Sequence, residues 1–184
     1  LGIAYGLPDE PSTIKDYGKV IVDGIKEECE KHDLDVPKMM VEPGRSIVAN
    51  AGVTLYTVGL IKEIPGIRTY VAVDGGMSDN IRPSLYGAVY TTVLANRTSS
   101  AQNVSSRLVG KHCETGDIVI REIDLPDDIV PGDLLAVPAT GAYGRSMASN
   151  YNHVPRPPVV AVIDGKARVI VRRESEADLL RLDI

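Results

Sequence analysis

Four clusters in this sequence combine residue types that can do chemistry. Glu42-Pro43-Gly44-Arg45 precedes the small-residue run Ser46-Ile-Val-Ala-Asn50. Backbone N–H groups at such a helix start attract anions, Gly44 permits close approach, and Arg45 offers a planar fork for phosphate or carboxylate. Taken alone, the cluster reads equally well as an ordinary turn with an exposed ion pair. The second cluster lies in the polar loop that begins Asp74-Gly-Gly-Met. There Arg82 and Tyr86 are four residues apart and could reach one anion from a single helical turn; the plainer reading is a solvated loop with a surface arginine. The third is His112-Cys113-Glu114-Thr-Gly-Asp117. A thiol, an imidazole and a carboxylate side by side can exchange protons near neutrality. Adjacent residues on an extended chain point to opposite faces, which argues against a direct Cys–His pair. The alternative is a buried structural cysteine. In the fourth, Gly141-Ala-Tyr143-Gly-Arg145 leading to Ser149-Asn-Tyr-Asn152, small residues leave the Tyr143 ring free to meet a ligand, or simply pack it in a glycine turn.

These clusters need elements to position them. Ile14, Tyr17, Ile21, Ile25 and Cys29 recur at helical spacing. They predict an amphipathic helix over residues 12–32, with Ser12 as its N-cap after the turn at Pro8 and Pro11. Residues 39–41 read as a short apolar strand running into Glu42, and residues 46–51 as a short helix. Helix, strand and functional loop in this order follow the rhythm of a β/α barrel. From Val53 the pattern changes to strands: 53–64, 70–73, 90–94, 102–109, 117–120, 133–137, 159–163 and 168–171. Asp164-Gly165 marks a hairpin, and Ser175 with Asp178 a capping box. The expected fold is therefore an α/β barrel remnant over residues 1–52 followed by a mainly antiparallel β-sandwich or β-barrel domain over residues 53–184. A whole barrel needs about 200 residues, so the abrupt start at Leu1-Gly-Ile-Ala-Tyr5-Gly6 reads as the loss of an amino-terminal part.

Composition narrows the classes of function. The chain has 184 residues, a formal net charge of −5 and 43% hydrophobic residues, which places it among globular proteins rather than disordered ones. No basic stripe suits a nucleic acid, and no apolar run suits a membrane span. Two cysteines make no disulfide framework, consistent with a cytoplasmic protein. A metal site drawn from Cys29, His32, His112 and Cys113 is disfavoured because Cys29 falls on the apolar stripe of its helix, so no metal is expected.

The order and wording of the motifs are more specific than any one of them. Leu1-Gly-Ile-Ala-Tyr5, Glu42-Pro-Gly-Arg45, Val73-Asp-Gly-Gly76, Arg82-Pro-Ser-Leu-Tyr86, His112-Cys-Glu-Thr-Gly-Asp117, Gly141-Ala-Tyr143 and Ser149-Asn-Tyr-Asn152 run the length of the chain. Together they resemble the diaminopimelate decarboxylases of the alanine-racemase-like, fold-type III PLP-dependent family. The resemblance implies PLP as electron sink, meso-2,6-diaminopimelate as substrate, L-lysine and CO2 as products, a place in lysine biosynthesis, and a homodimer with shared active sites. It also implies roles for single residues. Glu42, Pro43, Gly44 and Arg45 would hold the cofactor phosphate, with Arg45 reaching the substrate as well. Arg82 and Tyr86 would clamp a substrate carboxylate, and Tyr143 would touch both cofactor and substrate. Cys113 would donate the proton and Glu114 would recognise the distal ammonium, both in the neighbouring subunit's site. An unpaired substrate charge in such a site would cost roughly 2–5 kcal/mol. The lysine that carries PLP lies upstream of Leu1 in the resemblance, so the chain by itself is expected to be inactive. The alternatives are an ornithine- or arginine-type decarboxylase, whose substrate lacks a distal carboxylate, and a non-catalytic β-domain binding or regulatory module.

Overall fold

Helix α1, Ile14–Lys31, begins where a reciprocal cap can form: Thr13 Oγ1 accepts from the Asp16 N–H at 3.2 Å, and Asp16 Oδ2 accepts from the Thr13 N–H at 2.8 Å. The cap is Thr13 rather than the expected Ser12, because three residues beyond Ser12 stands Lys15, which cannot accept a hydrogen bond. The computed structural model describes residues 2–5 and 10–184, so Leu1, Gly6 and the turn expected at Pro8 lie outside the described residues. Along α1 only Cys29 is buried; Tyr17, Ile21 and Ile25 of the apolar stripe are half-buried and Ile14 is exposed. The strand expected at residues 39–41 does not form. Met39, Met40 and Val41 are exposed, and no described strand pairs with them to satisfy their backbone groups. The next helix, α2 (Gly44–Val48), starts two residues earlier than expected and runs into a 3-10 turn at Ala49–Ala51.

Six strands build one open, curled sheet in the order β3 (Val93–Leu94), β6 (Leu134–Pro138), β1 (Val53–Ile64), β2 (Arg68–Val73), β4 (Asn103–Val109), β5 (Ile118–Pro126), and β7 (Val159–Ile163) and β8 (Lys166–Val171) make a separate antiparallel pair. The long strand β1 (Val53–Ile64) pairs through its first half with β6 (Leu134–Pro138) and through its second half with β2 (Arg68–Val73). Its register shifts between Val58 and Ile61, and a bulge of this kind bends a strand and increases its twist. The sheet therefore curls around Tyr56, Val58, Val71, Val73, Leu108, Val119, Leu125, Leu135 and Val137. The result is a half-barrel; the expected sandwich or closed barrel is corrected to this open form, with β3 (Val93–Leu94) and β5 (Ile118–Pro126) at its edges. The sheet is mixed, since β2 runs parallel to β4 (Asn103–Val109). Parallel neighbours need a long crossover, and here that crossover holds the polar loop with helix α3, Arg82–Tyr86, and then the short edge strand β3. The expected strand at 90–94 shrinks to Val93–Leu94, because Tyr90 turns into the core.

At the end of the chain, β7 (Val159–Ile163) and β8 (Lys166–Val171) meet through Asp164 and Gly165, at φ 50° and 70°, the conformation that a two-residue hairpin turn requires. Helix α4, Glu176–Leu180, carries the expected Ser175–Asp178 capping box.

Candidate active site

Two groups of side chains stand out. In the first, Arg45 from α2 and Arg82 from α3 converge on one phenol: Arg45 Nη1 and Arg82 Nη2 each donate to the Tyr5 hydroxyl at 3.3 Å. Arg82 Nε also donates to the Tyr90 hydroxyl at 3.1 Å, and the Tyr5 and Tyr90 rings meet edge to face at 5.2 Å. The Arg82 guanidinium lies 4.7 Å from the centre of the Tyr143 ring and 5.7 Å from that of Tyr86, within cation–π range. Among the described residues Arg82 forms no ion pair. Its charge is surrounded by neutral phenols and remains available to an anion.

Backbone contacts hold these side chains in place. Tyr143 has φ 71°, a left-handed conformation that costs a non-glycine residue energy. It follows Gly141, whose N–H donates to the Ala49 carbonyl at 3.0 Å. A Cβ on Gly141 would come within 2.0 Å of the Val48 carbonyl, so only glycine permits this approach of the Tyr143 loop to the end of α2. The loop is thereby fixed against the helix that bears Arg45.

The second group is the turn at residues 112–117. Its anchor is Asp117, which is buried. One carboxylate oxygen accepts from the Met77 N–H at 2.7 Å; the other meets the His112 N–H at 2.7 Å and His112 Nδ1 at 2.8 Å. The carboxylate sits in a glycine cradle, since a Cβ on Gly76 or on Gly110 would come within 2.4 Å or 2.2 Å of it. Gly76, at φ 151°, also takes a backbone conformation that other residues rarely adopt. The His112 side chain is wholly buried, and its Nε2 has no hydrogen-bond partner among the described residues. His112 thus faces inward while Cys113 and Glu114 are exposed. Ser84 Oγ donates to the Gly116 carbonyl and ties the turn to α3.

Below the crossover loop, Tyr56 donates to Asp79, which also accepts from the Gly76 N–H at 2.7 Å. Burial raises the Asp79 carboxyl above the usual aspartate range, against these hydrogen bonds, and the Tyr56 phenol is pushed up by the same burial.

Of the residues singled out from sequence, Arg45, Arg82, Tyr86 and Tyr143 come together. Glu42 is exposed, and its carbonyl accepts from the Gly44 N–H at 2.9 Å, while Pro43 leads into α2. No described hydrogen bond or ion pair joins Cys113 or Glu114 to the arginine group. Cys29 is buried, with Sγ 3.8 Å from the Asp35 carbonyl, and His32 caps the end of α1. Tyr5, Tyr90, Asp117 and Tyr151 were given no role from sequence. The available signal was that a buried tyrosine hydroxyl or carboxylate must find a partner.

The profile of the pyridoxal-dependent decarboxylase C-terminal sheet domain matches residues 16–141. The chain belongs to this family. It is 51% identical over 183 residues to the diaminopimelate decarboxylase of Bacillus subtilis, covering 100% of this chain and 42% of that protein. A crystal structure of diaminopimelate decarboxylase from M. jannaschii in complex with L-lysine superposes with a TM-score of 0.88 at 36% identity, over 100% of this chain and 41% of that one. A lysine/ornithine decarboxylase from Vibrio vulnificus complexed with cadaverine is more distant: TM-score 0.55 and 27% identity, over 62% of this chain and 31% of that one. The chain thus spans about two fifths of the length of the diaminopimelate decarboxylases that it matches.

The donor set suits the phosphate ester of PLP. Among the described residues no side chain caps the first turn of α2 and none crowds Gly44; Arg45 follows Gly44 in the same turn, and the Tyr143 ring is partly exposed.

Proposed function

We propose that this chain is the carboxy-terminal part of a PLP-dependent decarboxylase that converts meso-2,6-diaminopimelate to L-lysine and CO2. Residues 1–52 would close the end of a PLP-binding β/α barrel, and residues 53–184 would form the carboxy-terminal β domain. The observation that carries this reading is the convergence of Arg45 and Arg82 on the Tyr5 hydroxyl beside Tyr143, in a chain half identical along its length to a diaminopimelate decarboxylase.

When bound, PLP supplies the electron sink for loss of CO2 from an amino acid. The chain's own residues do the rest. The opening of α2, from Glu42 and Pro43 to Gly44 and Arg45, would hold the phosphate, and Tyr143 would contact both cofactor and substrate. Arg82, with Tyr86 at its side, pairs with the substrate's distal carboxylate, and Arg45 reaches the substrate from α2. Cys113 Sγ delivers the proton that replaces the departing carboxylate, and Glu114 meets the distal ammonium. As the resemblance to the diaminopimelate decarboxylases implies, Cys113 and Glu114 serve the site of a second subunit in a homodimer, a role with which their exposure on the turn agrees. A substrate with both a carboxylate and an ammonium at its far end needs Arg82 and Glu114 together. An ornithine-type substrate has no use for Arg82, and the more distant match to the lysine/ornithine enzyme agrees with that preference.

The test is to supply the full-length protein with PLP and either meso-diaminopimelate or ornithine. Equimolar L-lysine and CO2 from the first, with little turnover of the second, is the expected result. Preferential release of a diamine from ornithine would overturn the assignment.

A further inference from the structure

The Tyr151 hydroxyl donates to Glu114 Oε1, across 37 positions of sequence. This is the sole hydrogen bond of the Glu114 side chain among the described residues, and Glu114 forms no ion pair there. The carboxylate stands on an exposed turn, where a free side chain would lose rotamer entropy on meeting a ligand. Both ends of the Tyr151–Glu114 contact are anchored. On one side, the turn is fixed by Asp117 in its glycine cradle. On the other, Tyr151 opens a 3-10 turn; two residues before it Ser149 donates its N–H to the Ser78 carbonyl at 2.8 Å, while the capping residue Asn150 donates from Nδ2 to the Val154 carbonyl at 3.1 Å and to Glu174 at 2.7 Å. The Tyr151 ring also lies 5.9 Å from the buried His112 ring, tilted by 40°. A phenol is a donor at neutral pH in any case, and the hydrogen bond to Glu114 raises the Tyr151 phenol above its ordinary range.

We propose that Tyr151 is a positioning residue that fixes the Glu114 carboxylate and so sets the preference for a substrate with a second amino group. One Glu114 oxygen is occupied by the phenol, and the other is left in a defined direction for an ammonium. The inference rests on the reading of Glu114 given above and adds to it the residue through which Glu114 is oriented.

The experiment uses the full-length decarboxylase and two substrates: meso-diaminopimelate, and 2-aminopimelate, which keeps both carboxylates but lacks the distal amino group. Tyr151→Phe keeps the ring and removes the donor. It should lower kcat/KM for diaminopimelate about tenfold, mostly through KM, as expected for one hydrogen bond to a charged group. For 2-aminopimelate the change should stay within roughly twofold. Glu114→Gln should by itself abolish the preference for the diamino substrate, and adding Tyr151→Phe to it should cost nothing further. Equal losses on both substrates, or additive losses in the double variant, would show a merely structural tyrosine and overturn the inference. If Glu114→Gln leaves the preference intact, the fault lies in the reading of Glu114, and the inference falls with it.

Discussion

Arg82 is fixed by tyrosines drawn from the whole chain, Tyr5, Tyr86, Tyr90 and Tyr143, whereas the turn bearing Cys113 and Glu114 is fixed mainly by one buried carboxylate, Asp117. In the first region a cation is surrounded by neutral hydroxyls and ring faces. They orient it without neutralising it, so its charge remains available to a ligand. In the second, the charged anchor is satisfied inside the fold by backbone N–H groups and an imidazole, and the groups able to react with a ligand face outward. On the proposed reading, one region receives an anion and the other is a platform that presents a thiol and a carboxylate elsewhere, so that a single chain would hold both halves of the chemistry without joining them.

The largest effect should come from the receiving side. Arg82→Ala in the full-length protein should cost on the order of 2–5 kcal/mol in kcat/KM for diaminopimelate while leaving PLP affinity nearly unchanged; an unchanged kcat/KM would break the contrast. On the platform, the main loss should be of stability. Asp117→Ala strands the Met77 and His112 donors inside the protein and should lower unfolding free energy by about 2–4 kcal/mol in urea titrations. A loss below about 0.5 kcal/mol would mean that Asp117 is not the anchor. Asp133 offers a reference carboxylate of a different kind, paired with Arg97 at 2.8 Å. That hydrogen bond holds the Asp133 carboxyl well below the usual range. A folded-state pKa below the unfolded one gives stability that is present above the ordinary aspartate range and lost as pH falls beneath it. Asp133→Asn should therefore flatten the acid limb of the stability profile below about pH 4, whereas Arg82→Ala should not, having no carboxylate partner to release. The smallest effect on stability belongs to the presented groups: Cys113→Ser should change it by no more than about 0.5 kcal/mol while sharply reducing turnover. A large loss of stability there would make Cys113 part of the anchor instead.

Much of the fold was legible in the sequence because its signals are local. The change to strand periodicity at Val53, the Asp164-Gly165 turn and the Ser175–Asp178 capping box each depend on a few neighbouring residues, and each is found in place. The strand expected at 39–41 failed because pairing is not local: Met39, Met40 and Val41 have strand-forming character but no described strand to join. The curl of the sheet was not legible either, since the Val58–Ile61 bulge shows only in register with β2. Of the site, Arg45, Arg82, Tyr86 and Tyr143 could be picked out because their motifs carry recognisable wording. Tyr5, Tyr90 and Tyr151 could not, because each hydroxyl meets a partner 8 to 77 positions away, and nothing near a tyrosine in sequence says which polar group its hydroxyl will meet. Asp117 stood within a recognised motif, yet its importance comes from the empty space above Gly76 and Gly110, which only the folded chain reveals.

The most direct test of the division into receiver and platform is complementation between two inactive full-length variants, Arg82→Ala and Cys113→Ala, unfolded together and refolded as a mixture. If the platform of one subunit completes the receiver of the other, half of the dimers formed at random are mixed, and each mixed dimer has one site with Arg82 and Cys113 both intact. Activity should then return to roughly a quarter of that of the unaltered protein, while each variant refolded alone stays inactive. No recovery in the mixture, with mixed dimers demonstrated by mass, would place Arg82 and Cys113 in the same subunit's site and contradict the division.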